Sequence, residues 1–198
     1  IQLYDAAVVA PWGKPSPRVP LQPNELVIRF HAHATAEITI GDHTLFTDPW
    51  LLGPAFLRGW WLSEPPLDDA LDRLAKADGI YISHNHSDHL NPTTLKHLAQ
   101  RRTDCQFFVP PFDSCIQQLR SFGFSKIIVV PFNLWFPFGG AQIMMLRDGT
   151  TRDDSGLLIE YKGHRILNTV DCSDLNGGHF PDNVDVLMMS FAGGASGY

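Results

Sequence analysis

The stretch Tyr81–Pro92, YISHNHSDHLNP, decides how the rest of this sequence is interpreted. It places three of the chain's nine histidines and one aspartate within the six residues from His84 to His89. The apolar run Gly79–Ser83 predicts a short strand, and Asn91-Pro92 predicts a helix start. A loop at a strand's carboxyl end can direct several side chains to one point. Imidazole and carboxylate are ligands of zinc, iron and manganese, so the stretch predicts a metal site. The alternative is a polar surface loop with chance histidines.

Composition limits the classes of function. A chain of 198 residues with 44% hydrophobic and 18% charged residues fits one soluble domain with a sizeable core. The net charge of −6 argues against a nucleic-acid or anionic-membrane surface. Three scattered cysteines without a Cys-x-x-Cys motif favour reduced thiols and a cytoplasmic location.

The chain divides into an arm and a domain. Residues 1–24 contain five prolines and are predicted to form an extended linker or wrapping arm. Residues 25–198 alternate strand hairpins with helices, which predicts a mixed α/β (α+β) domain with sheets covered by helices. Val184–Met189 is predicted to be a buried strand. The sequence begins without Met and ends at Tyr198, so we expect a fragment that is truncated at its carboxyl end.

The pattern His-x-His-x-Asp-His after an apolar strand resembles the metallo-β-lactamase superfamily, which implies an αββα sandwich. Thr47-Asp48-Pro49 follows the first hairpin, where the superfamily has an aspartate that supports the metal loop. Thr169-Val-Asp171 follows the later hairpin, where it has a bridging carboxylate. The resemblance implies one metal position at His84 and His86, a second at Asp88 and His89, and Asp171 reaching both.

One departure from that pattern changes the expected chemistry. The superfamily usually has a further histidine ahead of the Asp171 hairpin, but Arg147–Gly156 contains none, and its aspartates are expected to shape a turn. The usual last histidine is also missing, and neither His164 nor His179 is at its expected place. His84, His86 and Asp171 remain, and they form the two-histidine, one-carboxylate set of non-haem Fe(II) sites. Ligand count alone does not separate iron from zinc.

Several longer stretches resemble a narrower family. Asp48–Trp61, Glu160–Cys172 and Phe191–Gly197, together with Tyr81-Ile-Ser-His84, are similar to CMP-N-acetylneuraminate hydroxylases. These join a Rieske iron–sulfur domain to a metallo-β-lactamase-like domain. The resemblance implies oxygen-dependent hydroxylation of the N-acetyl group of a CMP-linked sialic acid. A Rieske [2Fe–2S] centre needs two Cys and two His ligands. No Cys-x-His occurs here, so the cluster would belong to a partner domain or electron-donor protein.

Substrate contacts are predicted in the loop after Asp48. Trp60 and Trp61 would stack on a base or sugar, and Arg58 would pair with a phosphate or carboxylate. The alternative is a loop that only covers the core. His179 follows Asn176-Gly-Gly, whose glycines would let the backbone approach a ligand.

His33 is predicted to act at the metal site. His31 and His33 share one face of the first strand because side chains two residues apart do so. His33 also matches a histidine near the metals in related family members. We therefore expect His33 and Asp88 to be the catalytic residues, and His31 to be a hydrogen-bonding histidine.

Three functions remain in competition. The first is an iron-dependent monooxygenase domain that hydroxylates a nucleotide sugar. The second is a zinc-dependent hydrolase of a phosphoester, lactone or amide, in which Asp88 positions or deprotonates the metal-bound water. The third is a non-catalytic domain that binds nucleotide sugars or a partner. Tightly bound iron favours the first, oxygen-independent hydrolysis the second, and failure to bind a transition metal the third.

Overall fold

The computed structural model describes residues 11–190, which form two β-sheets and three α-helices. The first sheet runs in chain order through β1 (Leu26–Ala32), β2 (Thr35–Ile40), β3 (His43–Thr47), β4 (Gly79–Tyr81), β5 (Phe107–Val109) and β6 (Ile127–Val129). The second has the order β11-β10-β9-β8-β7, with β7 (Phe136–Phe138), β8 (Ala141–Arg147), β9 (Ser155–Tyr161), β10 (His164–Asn168) and β11 (Val186–Met188). The helices are α1 (Ala70–Leu74), α2 (Pro92–Arg101) and α3 (Asp113–Ser121).

The first sheet changes from antiparallel to parallel pairing at β3. Strands β1 to β3 form antiparallel hairpins, whereas β3 to β6 are parallel and α1, α2 and α3 lie in the successive connections. Parallel neighbours need such crossovers because a tight turn cannot join them. The α2 helix begins as predicted: the Asn91 side chain accepts a hydrogen bond from Thr94 N, and Pro92 is the first helical residue.

Three layers are packed around two apolar cores. Ile80 and Phe107 face the helices, where they join a cluster with Leu95. On the opposite face, Tyr81 and Phe108 pack against the second sheet. The two mixed sheets confirm the predicted mixed α/β class. Within residues 11–190, three layers of the expected αββα sandwich are present. The outer face of the second sheet is covered by Trp12 and by the 172–184 segment.

The arm contacts the second sheet from Trp12 onward. Trp12 is buried, and Arg165 donates hydrogen bonds to the carbonyls of Trp12 and Gly13. Ser16 donates to the carboxylate of Glu160 through its backbone and side chain. These contacts join the proline-rich segment to the domain core. The first ten residues of the predicted arm lie outside the described range, and the boundary between residues 24 and 25 stays a prediction.

The burial predicted for the last strand is wrong. β11 covers only Val186–Met188 and pairs in parallel with β10 at the edge of the second sheet. Val186 and Leu187 are 40% and 52% exposed. An edge strand has one neighbour, so an apolar sequence does not ensure burial on both faces. Phe191–Gly197, which carried part of the family resemblance, lies outside the described residues.

All three cysteines lie within the described residues as free thiols. Cys105 and Cys115 are buried free thiols, and Cys172 is a partly buried one. Between residues 11 and 190, no helix has the length and apolar character required to cross a membrane.

Candidate metal centre

The predicted site residues meet at one edge of the sandwich. The metal loop follows β4, Asp48 directly follows β3, Asp171 follows β10, and His33 lies in the turn between β1 and β2. The carboxyl ends of adjacent parallel strands such as β3 and β4 lie at the same edge of a sheet, where ligands commonly bind. The site is therefore assembled from both sheets.

Asp48 joins β3 to the metal loop. Its side chain is fully buried and accepts hydrogen bonds from Ser83 N at 2.7 Å and Ser83 Oγ at 2.8 Å. His89 Nδ1 lies 3.1 Å from Asp48 Oδ2. A histidine that donates through one ring nitrogen leaves the other free to bind a metal. These are the contacts that the predicted supporting role of Asp48 requires.

Unpaired buried atoms at the centre fit a bound cation. His89 Nε2 lies 3.4 Å from Asp171 Oδ2 and 3.5 Å from Asp88 Oδ2. Within the described part of the chain, neither His89 Nε2 nor Asp88 Oδ1 has a hydrogen-bond partner, although both are buried. Leaving such atoms unpaired costs about 1–3 kcal/mol each. A metal ion would satisfy both.

Two groups of ligand atoms surround this point. Those of His84, His89 and Asp171 lie within 4.8 Å of one another, and so do those of His33, Asp88 and His89. His86 lies beside the first group, with its Nδ1 2.7 Å from His84 Nε2. The predicted metal ligands are thus close together, although His89 rather than His86 joins His84 and Asp171 in the compact set. The donor chemistry suits iron or zinc.

Asp154 is a site residue that the sequence analysis assigned only to a turn. It is buried, and its Oδ1 lies 3.1 Å from His84 Nδ1, which is also 2.9 Å from Ser83 Oγ. Together they hold the imidazole through Nδ1 and leave Nε2 beside His86 Nδ1, and holding one ring nitrogen in this way is typical of metal-binding histidines. The signal that would have identified Asp154 is its place in Arg147–Gly156, the segment where a superfamily histidine is missing.

The carboxylates control the charge of His89. Burial alone would lower its pKa, but the nearby carboxylates of Asp171, Asp48 and Asp88 raise it well above its ordinary value. Burial would likewise raise the pKa of Asp171, but His89 lowers it to about 2. A metal binds the neutral imidazole, so the raised pKa of His89 makes proton release part of metal binding at this nitrogen.

His33 differs from His89 in its charge state. Its Nε2 lies 3.4 Å from Asp88 Oδ2, its side chain is 30% exposed, and its ring packs edge-on against Trp50. Burial, reinforced by the nearby charge of His89, lowers the pKa of His33. A neutral imidazole that reaches both solvent and Asp88 is able to accept a proton near neutral pH.

A cleft of about 460 Å³ opens beside His86. The 54–58 loop forms one wall, and residues 85–87 with the first turn of α2 form the other. Phe56 joins the two walls: its N–H donates to Ser87 Oγ at 2.7 Å, and its ring lies 5.9 Å from that of His86. Arg58 borders the cleft, whose other lining residues are apolar or neutral except for His86.

The predicted substrate residues are divided by the structure. Trp60 closes the Arg58 loop through paired backbone hydrogen bonds with Ala55, and its ring contacts Phe56 edge-on at 4.8 Å. Trp61 is 64% exposed and does not line the cleft. His179 is exposed beyond the 3-10 turn Asn176–Gly178, and its N–H bonds back to Asn176 O. Arg58 is thus the one predicted substrate residue that lines the cleft, and Trp60, itself exposed, contacts the lining residue Phe56.

Comparison with known protein families supports the fold assignment. A family profile described as "Beta-lactamase superfamily domain" matches residues 27–195. The chain belongs to this superfamily. The match includes β1 to β11 except for the first residue of β1, and all the residues of the candidate metal centre.

The chain is also similar to curated CMP-N-acetylneuraminic acid hydroxylases. It is 47% identical to that of Mus musculus over 95% of this chain and 34% of the relative. It is 48% identical to that of Asterias rubens over 91% of this chain and 28% of the relative. It is 44% identical to that of Danio rerio over 100% of this chain and 34% of the relative. The chain thus spans about a third of the length of these relatives.

Solved structures share the fold at low sequence identity. CmlA, a diiron β-hydroxylase from Streptomyces venezuelae, has a TM-score of 0.59 at 21% identity, covering 78% of this chain and 31% of its own. An isothiocyanate hydrolase from Delia radicum gut bacteria has a TM-score of 0.56 at 17% identity, covering 72% and 60%. Proteins with this fold therefore include both a hydroxylase and a hydrolase.

Proposed function

We propose that this chain is the metal-binding catalytic domain of a monooxygenase that hydroxylates the N-acetyl group of a CMP-linked sialic acid. The observation that carries the proposal is the buried centre in which, within residues 11–190, His89 Nε2 and Asp88 Oδ1 lack hydrogen-bond partners, in a chain similar to hydroxylases. Iron is the proposed metal, with zinc as the alternative, and His84, His86, Asp88, His89 and Asp171 are the proposed ligands.

The overall reaction sets what the protein must supply. One C–H bond of the N-acetyl methyl group becomes C–O–H, and the oxygen atom comes from O₂. The second oxygen atom leaves as water after accepting two electrons and two protons. Iron would supply the oxygen chemistry, and a Rieske domain or other electron-donor protein would supply the electrons.

The chain's own residues orient the site and handle protons. Asp48, Ser83 and Asp154 hold the imidazoles through their Nδ1 atoms, as described above. His33 is the proposed proton-transfer residue, because it is neutral near pH 7 and contacts Asp88 from the solvent side. Asp88 is proposed to assist it.

Arg58 and the aromatic loop are proposed to bind the nucleotide sugar. The cleft reaches His86, so a ligand that fills it would approach the metal centre. Arg58 would pair with the phosphate or carboxylate, and Trp60 would contact the base or sugar. Trp60, Trp61 and His179 are all exposed and do not line the cleft, but Trp60 contacts the lining residue Phe56, so Trp61 and His179 are the weaker candidates.

Metal content and ligand binding test this proposal together. Protein purified anaerobically with iron and zinc both available should retain iron and bind CMP-N-acetylneuraminate in calorimetry. Arg58→Gln should weaken that binding about 10–100-fold, since a hydrogen bond to a charged group contributes about 1.5–3 kcal/mol. The matched control Arg120→Gln changes an exposed arginine on α3.

Two outcomes would replace the proposal. Two zinc ions with oxygen-independent hydrolysis of a phosphoester or lactone would support the metallo-hydrolase, in which Asp88 acts on metal-bound water. Nucleotide-sugar binding without stoichiometric metal would support a non-catalytic binding domain.

A further inference from the structure

Asp148 lies behind the metal centre and joins two loops that reach it. It directly follows β8 and is only 1% exposed. One carboxylate oxygen accepts a hydrogen bond from Thr150 N at 2.7 Å, and the other from Ser173 N at 2.8 Å. Its own N–H donates to Asp154 O at 3.1 Å.

Each of these two loops supplies a carboxylate to the centre. The loop after β8 carries Asp154, which contacts His84, and the loop after β10 carries Asp171, which contacts His89. The backbone strengthens the connection, because Gly149 N donates to Asp174 O at 2.7 Å. The contact leaves no spare room: a Cβ at Gly149 would lie 2.3 Å from Asp174 Oδ2.

The backbone before Asp171 needs such a restraint. Val170 has φ 52°, a left-handed conformation that is strained for a β-branched residue. It persists only where the surrounding structure enforces it. Asn168 Oδ1 accepts a hydrogen bond from Val170 N on one side, and Asp148 holds Ser173 on the other. Asp171 lies between these two restraints.

Asp148 is better suited to this role than to binding a metal itself. Its carboxylate lies in a cluster with Asp154 and Cys172 that has metal-ligand spacing. However, both Asp148 oxygens already accept backbone hydrogen bonds.

We infer that Asp148 is a positioning residue, whose carboxylate clamps the 171–175 turn so that Asp171 is held beside His89. This inference rests on the proposed role of Asp171 as a metal ligand. It predicts that the effect of Asp148 on metal binding passes through Asp171.

A double-mutant cycle tests this dependence. Zinc affinity is measured by competition with a chromophoric chelator for wild type, Asp148→Asn, Asp171→Asn and the double variant. Asp148→Asn should weaken binding about 10–100-fold, the usual effect of losing a group that orients a ligand. In the Asp171→Asn background it should change the affinity by less than about twofold, since coupled residues are non-additive. Exposed Asp68→Asn is the control.

A second variant and a spectrum complete the test. If Asp148→Asn does not fold, Gly149→Ala replaces it in the test, because it keeps Asp148 but displaces the 171–175 turn. Its loss of zinc affinity should depend on Asp171 in the same way. In the cobalt-substituted protein, Asp148→Asn should shift the visible bands toward those of Asp171→Asn. Equal losses of affinity in both backgrounds would overturn the clamp. If Asp171→Asn alone left zinc affinity unchanged, the ligand role of Asp171 would fail instead, and the inference with it.

Discussion

Replacing Ser83 by alanine tests how the protein holds its metal-binding imidazoles. Ser83 is fully buried, and its Oγ lies 2.8 Å from Asp48 Oδ2 and 2.9 Å from His84 Nδ1. Ser83→Ala removes this hydroxyl without changing Asp48 or His84. Asp48 keeps its hydrogen bonds from the Ser83 N–H and from His89, so its charge stays partly compensated.

The structure sets the size of the effect. Losing one hydroxyl hydrogen bond to a buried carboxylate should lower the free energy of unfolding by about 1.5–3 kcal/mol. The remaining partners of Asp48 place the expected value near the lower end of that range. The metal affinity should fall by about 10–100-fold, because His84 loses one of the two groups that orient it.

Two assays separate these effects. Urea denaturation in the presence of a chelator gives the stability of the metal-free protein, and chelator competition gives the zinc affinity of the folded protein. The control Ser121→Ala removes an exposed hydroxyl that bonds only within its own helical turn. If Ser83→Ala bound zinc as tightly as wild type, the proposed support of the metal loop would be refuted.

Three further predictions concern pH and backbone strain. Because the surrounding carboxylates raise the pKa of His89, zinc binding should release about one proton. Below that pKa, the zinc affinity should increase about tenfold for each unit of pH. Calorimetry in two buffers of different ionisation enthalpy counts the released protons. Leu57 is fully exposed and has φ 53°, a left-handed conformation that is strained for leucine but not for glycine. Leu57→Gly should therefore lower the free energy of unfolding by less than Leu134→Gly, which changes another exposed leucine. A greater loss for Leu57→Gly would contradict the backbone strain at Leu57. The hydrogen bond from Lys162 lowers the pKa of Glu25 from 4.5 to about 2. The stability that this pair contributes should therefore be present above pH 4.5 and be lost as the pH falls from 4.5 to 2. Glu25→Gln should flatten that part of the plot of unfolding free energy against pH, measured by urea denaturation.

The sequence predicted the parts of the fold that depend on local patterns. The strand before His84 and the helix start at Asn91-Pro92 were placed correctly because each depends on a few adjacent residues. The hairpin of β9 and β10 likewise follows from two apolar runs on either side of Lys162-Gly163. Lys162 and Gly163 both have positive φ, as a tight turn requires. Local signals of this kind also located the metal loop.

Contacts between distant segments were beyond such reasoning. Asp154 contacts His84 across 70 positions of the chain, and nothing in its neighbours distinguishes it from a turn residue. Trp12 lies in a proline-rich arm, yet it is buried through the packing of the second sheet. The exposure of β11 depends on its position at a sheet edge, which an apolar run does not reveal.

Backbone strain explains why the site's geometry is harder to predict than its composition. His33, Asp48 and Val170 all have positive φ, at 49°, 37° and 52°, and each lies at or beside the end of a strand that leads into the metal centre. The left-handed conformation costs about 1–2 kcal/mol for residues other than glycine. The alternating pattern of each strand predicts that its backbone stays extended. The hydrogen bonds of Asp48 and the burial of Val170 hold the backbone in the left-handed conformation instead. The strained backbone lowers local stability but directs His33, His89 and Asp171 toward one point. It is maintained by tertiary contacts, which no sequence motif reveals.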